Sequence, residues 1–158
     1  MFSQILVPLD GSRLAEKALP YAKTLAQTFA AKLLVIRVLP PFITVPDRQL
    51  NMDPNFNLLQ ELEAEARSYL HQIQTQWQTE GVQIQTEYIE GGPVAEMILE
   101  QAYDRGVDLI VMSTHGYSGS NLWTYGSVAS KVLQQAPCPI FLVRTGNKRD
   151  RTEPELMS

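Results

Sequence analysis

Short apolar runs and segments of helical periodicity alternate along this chain, and few folds accept that order. The apolar runs fall at residues 2–9 (FSQILVPL), 33–39 (LLVIRVL), 82–89 (VQIQTEYI), 107–112 (VDLIVM) and 139–143 (PIFLV). Each has the length and the branched or aromatic content of a strand. Between the first two, Ala15, Ala18, Leu19, Ala22, Leu25, Ala26 and Phe29 recur at helical spacing and predict one helix with a single buried stripe. A longer stripe runs from Leu58 through Leu62, Ala66, Leu70 and Ile73 to Trp77, with Gly81 as its stop. Val94, Ala95, Ile98, Leu99 and Ala102 predict a short helix ending at Gly106, and Val128, Ala129, Val132, Leu133 and Ala136 a last helix. Repeated strand–helix alternation predicts an α/β fold: an open five-stranded parallel sheet, Rossmann-like, with helices on both faces. Right-handed crossovers favour the strand order 3-2-1-4-5.

The alternation spans residues 1–144 and predicts one domain. Residues 40–57 hold Pro40, Pro41, Pro46 and Pro54 and read as a Pro-rich excursion over the surface. The polar residues 145–158 read as a C-terminal tail. With 44% hydrophobic residues in 158, the chain can bury a substantial core. Its net charge of −4 and lack of a basic block argue against nucleic acid as a partner. No apolar run approaches the roughly 18–20 residues that span a bilayer, so no membrane role is expected. The N-terminal MFSQILVPLD has no basic n-region, and the single cysteine, Cys138, fits a reducing compartment. A cytoplasmic location is the expectation.

In doubly wound sheets, ligands bind beyond the carboxyl ends of the strands where the winding reverses. With the order above, that point lies between the first and fourth strands. Asp10 follows the first, and the stretch 113–127, STHGYSGSNLWTYGS, follows the fourth. Glycines let a backbone approach a ligand closely, and amides at a helix start attract phosphate. Gly126-Ser127 precedes the last helix, where Ser127 would cap it or offer its hydroxyl to phosphate. The residues alone leave two readings open, a glycine-rich turn with an ordinary cap or a phosphate cradle. Asp10 is either the acceptor for a sugar hydroxyl or the start of a turn. His115 lacks an evident orienting partner, Cys138 reads as buried and inert, and His71 stands alone on its helix. The glycine-rich nucleotide fingerprints and the nucleophile elbow are absent. No catalytic residue is assigned, and enzyme activity is limited to a slow ATPase or autophosphorylation at a loop hydroxyl such as Ser127.

Taken together, ILVPLDGS (5–12), LLVIRVL (33–39), GGPVAEMI (91–98), VDLIVMSTHG (107–116) and GSVASKVLQQAPCPIFLVR (126–144) resemble the universal stress protein family over residues 1–144. The resemblance implies the same 3-2-1-4-5 fold. Its ATP-binding branch carries G-x2-G-x9-G-[ST]; here Ser113 takes the place of the first glycine, followed in register by Gly116, Gly126 and Ser127. If positive φ is needed at Ser113, the replacement costs about 1–2 kcal/mol. By resemblance, the backbone at Pro8, Leu9 and Val38 would line adenine, and Asp10 would meet the ribose. Met112 and Ser113 would close over the sugar-phosphate, with Gly116, Gly126, Ser127 and Val128 around the phosphates. The implied ligand is ATP or a related adenine nucleotide, with Mg2+ as a companion ion, in a module signalling nucleotide or stress status to a protein partner. The alternative is a nucleotide-free dimeric interaction protein. The resemblance also implies a homodimer through residues 138–144, and the sequence supplies a reason. Ile140, Phe141, Leu142 and Val143 form an apolar strand with no guarding charge before Arg144.

Overall fold

The computed structural model describes residues 1–39, 54–115 and 125–145. Five parallel strands form one sheet: β1 (Gln4–Leu9), β2 (Lys32–Leu39), β3 (Ile84–Glu90), β4 (Leu109–Ser113) and β5 (Ile140–Val143). Their order is β3-β2-β1-β4-β5, as the alternation predicts. Among the described residues five helices accompany them: α1 (Arg13–Glu16), α2 (Leu19–Phe29), α3 (Pro54–Thr79), α4 (Val94–Asp104) and α5 (Ser127–Gln135).

The core has two halves because the central strands are apolar on both faces, as buried parallel strands are. Ile5, Val7, Leu33, Val35, Leu109 and Val111 pack with Ala15, Leu19, Ala22, Ala26, Leu70 and Trp77 of α1, α2 and α3. The alternate residues Leu6, Leu34, Ile36, Val38, Ile110 and Met112 pack with Ala95, Ile98, Ala102, Ala129 and Val132 of α4 and α5. Edge strand β3 departs from this pattern, with Gln85 and Glu90 exposed. The predicted alternation of Val82, Ile84 and their polar neighbours is that of a strand with one wet side.

Two helices differ from the periodicity. The stripe read as one helix between β1 and β2 is broken at Lys17-Ala18 into α1 and α2. Pro20 explains the break: it lacks the N–H that would bond to the carbonyl of Glu16, and its ring would clash there. The proline instead occupies the first turn of α2. The apolar stripe continues across the break, since Ala15, Ala18, Leu19 and Ala22 are all buried. Helix α3 begins at Pro54, one turn before the first residue of its apolar stripe. A proline is tolerated there because the first amides of a helix have no intrahelical partner. Residues 40–53 of the predicted excursion, and 146–158 of the tail, lie outside the described residues.

Gly81 stops α3 as expected. Its φ is +77°, its amide donates to Gln78 O at 3.1 Å, and the Val82 amide donates to Trp77 O at 3.2 Å. These are the two bonds of a Schellman stop, and the buried Trp77 and Val82 provide its apolar contact. Among the described residues no helix is long and apolar enough to cross a membrane.

The pairing of β1 with β4 shapes the site. It runs only over Ile5↔Leu109 and Leu6↔Ile110, while β1 pairs with β2 as far as Leu9↔Arg37. Gln4 O faces β4, accepting the Asp108 amide at 3.0 Å. Alternate residues of a strand point their backbone groups the same way, so Pro8 also faces β4. A proline offers no donor to that ladder, so the two strands can part at their carboxyl ends.

Asp108 closes the opposite end of the same pair. Its carboxylate accepts from the Ser3 amide at 2.8 Å, the Ser3 hydroxyl at 2.7 Å and the Gln4 amide at 3.1 Å. Burial opposes the charge, but these hydrogen bonds outweigh it and hold the carboxyl below the ordinary aspartate value. A depressed value contributes stability that is complete above the unfolded aspartate pKa of about 3.9 and is lost as the pH falls through the folded one. Asp108→Asn should therefore cost about 1 kcal/mol at neutral pH and flatten the loss of stability below about pH 4, measured by urea unfolding across pH. An unaltered acid profile would contradict this. Ile110→Ala, at a fully buried position, should cost about 2–5 kcal/mol in the same assay.

Candidate functional site

Where β1 and β4 part, a cavity of about 450 Å³ opens over the carboxyl ends of β1, β2 and β4. Strand β1 contributes Pro8 and Leu9, followed by Asp10. Strand β2 contributes Val38, β4 contributes Met112 and Ser113, and Gly126, Ser127 and Val128 come from the start of α5. Gly116 lies outside the described residues. The topology therefore gathers nine of the sequence-derived positions around one space.

Asp10 is set by a local turn. Its Oδ1 accepts the Ser12 amide at 2.8 Å, and the Ser12 hydroxyl in turn accepts the Ala15 amide at 3.1 Å to cap α1. The Asp-Gly turn and a carboxylate lining the cavity are thus one arrangement, so the two readings of Asp10 do not exclude each other.

Ser113 is the last residue of β4, and its hydroxyl donates to His115 O at 2.8 Å. Among the described residues only Ala30 is a non-glycine with positive φ. Serine at position 113 therefore carries no left-handed strain, and the penalty considered from the motif does not arise. Thr114 follows and is buried. Its Oγ1 accepts the Thr145 amide at 3.0 Å and lies 3.0 Å from His115 Nδ1. The orienting partner that the sequence did not reveal for His115 is thus its own neighbour.

The carbonyl of Thr114 accepts the Gly126 amide at 3.0 Å, which docks the start of α5 against the end of β4. A Cβ at Gly126 would sit 3.3 Å from that same carbonyl oxygen, so close approach, and not unusual φ, accounts for the glycine. Gly126 is the N-cap of α5, and its carbonyl accepts the Ser130 amide at 2.9 Å. This corrects the expectation that Ser127 caps the helix, because Ser127 is already its first helical residue. A glycine N-cap has no side chain to satisfy the first amides, and among the described residues no side-chain cap bond is made. Those amides belong to Ser127, Val128 and Ala129, all of which line the cavity. Helix-start amides of this kind attract anions.

Other lining residues were not anticipated. Leu62, Val94 and Ile98 supply an apolar wall, but in sequence they look like any core stripe. Arg37 also lines the cavity; its only signal is that it interrupts the apolar run LLVIRVL. Cys138 is half-buried, not fully buried, and burial followed by the charge of Asp108 pushes its thiol pKa up. A larger hollow of about 650 Å³ between α3 and β3 is lined by Arg67, His71, Gln74 and Tyr88 and gathers none of the predicted residues. Among the described residues no three His, Cys, Asp or Glu side chains are placed to hold a metal ion.

Comparison with known proteins bears on this arrangement. Universal stress protein MJ0531 of Methanocaldococcus jannaschii is 33% identical over 94% of this chain and 85% of its own length. Universal stress protein YxiE of Bacillus subtilis is 34% identical, covering 91% of this chain and all of YxiE. The solved structure of MJ0577 from Methanocaldococcus jannaschii superposes with a TM-score of 0.79 at 26% identity, over 93% of this chain and 99% of that one. Two further structures share the fold at 20% identity. One is a universal stress protein in complex with cAMP, with a TM-score of 0.65 over 90% of this chain and 97% of that one. The other is the Archaeoglobus fulgidus universal stress protein in complex with dAMP, with a TM-score of 0.61 over 89% and 97%. The family model described as universal stress protein family matches residues 1–144. This chain belongs to the universal stress protein family.

Proposed function

We propose that the cavity binds an adenine nucleotide, ATP foremost, and that the protein is a cytoplasmic module reporting nucleotide or stress status to a protein partner. The observation that carries this reading is the pairing of two unlike ends in one space. At one end, Pro8, Leu9, Val38, Leu62 and Val94 provide apolar walls for a base, with Asp10 beside them. At the other are the first amides of α5, which among the described residues have no side-chain cap and would attract an anion. A nucleotide has that same division into a flat, weakly polar ring and a charged phosphate chain. Relatives in complex with cAMP and dAMP support the class of ligand. A magnesium ion would be carried chiefly by the phosphates, since Asp10 is the one carboxylate among the described lining residues.

Calorimetric titration with ATP and magnesium tests the reading. The wild-type protein should bind, and Asp10→Ala and Gly126→Val should each weaken binding by about tenfold or more while retaining a cooperative melt. Binding by both variants at wild-type strength would place the nucleotide elsewhere. No binding by the wild type would favour a nucleotide-free interaction protein.

The same proposal includes a homodimer through β5. This strand ends the sheet; Ile140 and Leu142 are half-exposed and Phe141 is 39% exposed. The Phe141 ring lies 5.5 Å from that of Tyr21, which is also exposed, so the two make an apolar edge patch. Pairing this edge across a two-fold axis would satisfy its backbone and cover both rings. Phe141→Glu should shift the protein to a monomer in sedimentation velocity, and an unchanged dimer would put the interface elsewhere.

A further inference from the structure

Arg37 is the one charged residue in the apolar run 33–39 of β2, and it is 7% exposed. Leu33 and Val35 face α1, α2 and α3, and Arg37, two residues beyond Val35, shares their side of the sheet. There its guanidinium lies 5.5 Å from the Tyr69 ring centroid. Its Nη2 is 3.7 Å from Glu65 Oε1, a long contact to a side chain that is 66% exposed. Its Nη1 is buried and, among the described residues, has no hydrogen-bond partner. A buried guanidinium with an unmet donor is costly, and a ligand that brings an acceptor regains that cost on binding.

Arg37 also lines the cavity. It pairs in register with Leu9 of β1 on one side and Tyr88 of β3 on the other. Strand β2 is therefore separated from β4 by β1, a spacing of roughly 10 Å. The start of α5 lies on the opposite face, where Ala129 packs with Leu34, Ile36 and Val38. Arg37 is thus remote from the anion-attracting amides and close to the apolar end with Leu9, Val38 and Leu62.

We propose that Arg37 is a ligand-binding residue of this cavity, its guanidinium turning so that Nη1–H donates to an acceptor atom on the base–ribose half of the bound nucleotide. This inference rests on the nucleotide reading above. It makes the apolar end selective: a ring nitrogen, carbonyl or ribose oxygen directed at Arg37 is favoured, and an amino group directed there is rejected.

The test titrates ATP and AMP into wild type, Arg37→Met, Arg37→Lys and Glu65→Gln, each checked for a cooperative melt. Methionine keeps much of the apolar stem and removes the donors. Arg37→Met should weaken ATP and AMP by the same factor, about tenfold. Arg37→Lys should recover part of that loss, and it keeps the question answerable if the methionine variant does not fold. Glu65→Gln should leave binding within about twofold of wild type, since the proposal does not act through the contact with α3. Wild-type affinity in both Arg37 variants would overturn the proposal while leaving the nucleotide reading intact. So would a loss confined to ATP, which would move Arg37 to the outer phosphates, or a Glu65→Gln loss as large as that of Arg37→Met. If wild type binds neither nucleotide, it is the underlying reading that fails.

Discussion

Strands β1, β2 and β4 are apolar on both faces, and water must be excluded from each. One layer of helices cannot do this. The chain lays α1, α2 and α3 on one side and α4 and α5 on the other, and right-handed crossovers then require the winding to reverse between β1 and β4. A reversal leaves no connection across that junction, so a crevice forms at its carboxyl end. The cavity follows from the rule that buries the core.

The crevice is held open by particular groups. Pro8 presents no amide toward β4, and among the described residues β1 pairs with β4 at Ile5 and Leu6. Asp108 fastens the other end of the same pair with three hydrogen bonds. The strands are therefore tied at their amino ends and free to part where the site lies. Thr114 then fixes the far wall. Its carbonyl receives Gly126 and its hydroxyl receives the amide of Thr145, so β4, α5 and the residues after β5 meet at one buried threonine.

Much of this was legible from sequence because burial writes itself as periodicity. The five apolar runs, the helical stripes and the stop at Gly81 each report a local choice made at a distance of a few residues. The switch point follows from strand order, which alone makes Asp10 and the 113–127 stretch neighbours. The break between α1 and α2 was also present in the sequence, at Pro20, but a continuous apolar stripe masked it. Ser113 looked like a defect in a glycine motif; placed at the end of β4, it is an ordinary extended residue.

The order of residues thus settled the fold, its two-sided core and the end of the sheet at which the cavity opens, because each depends on polarity patterns and on chirality. Tertiary structure decided which side chains face that space. Leu62 and Arg37 are separated by more than twenty positions, and nothing in their spacing distinguishes a residue lining a cavity from one filling a core. The cap of α5 was decided in the same way, by a backbone bond from Gly126 to Thr114. The sequence shows which donors exist; only packing shows which of them remain unmet, as at Arg37 Nη1.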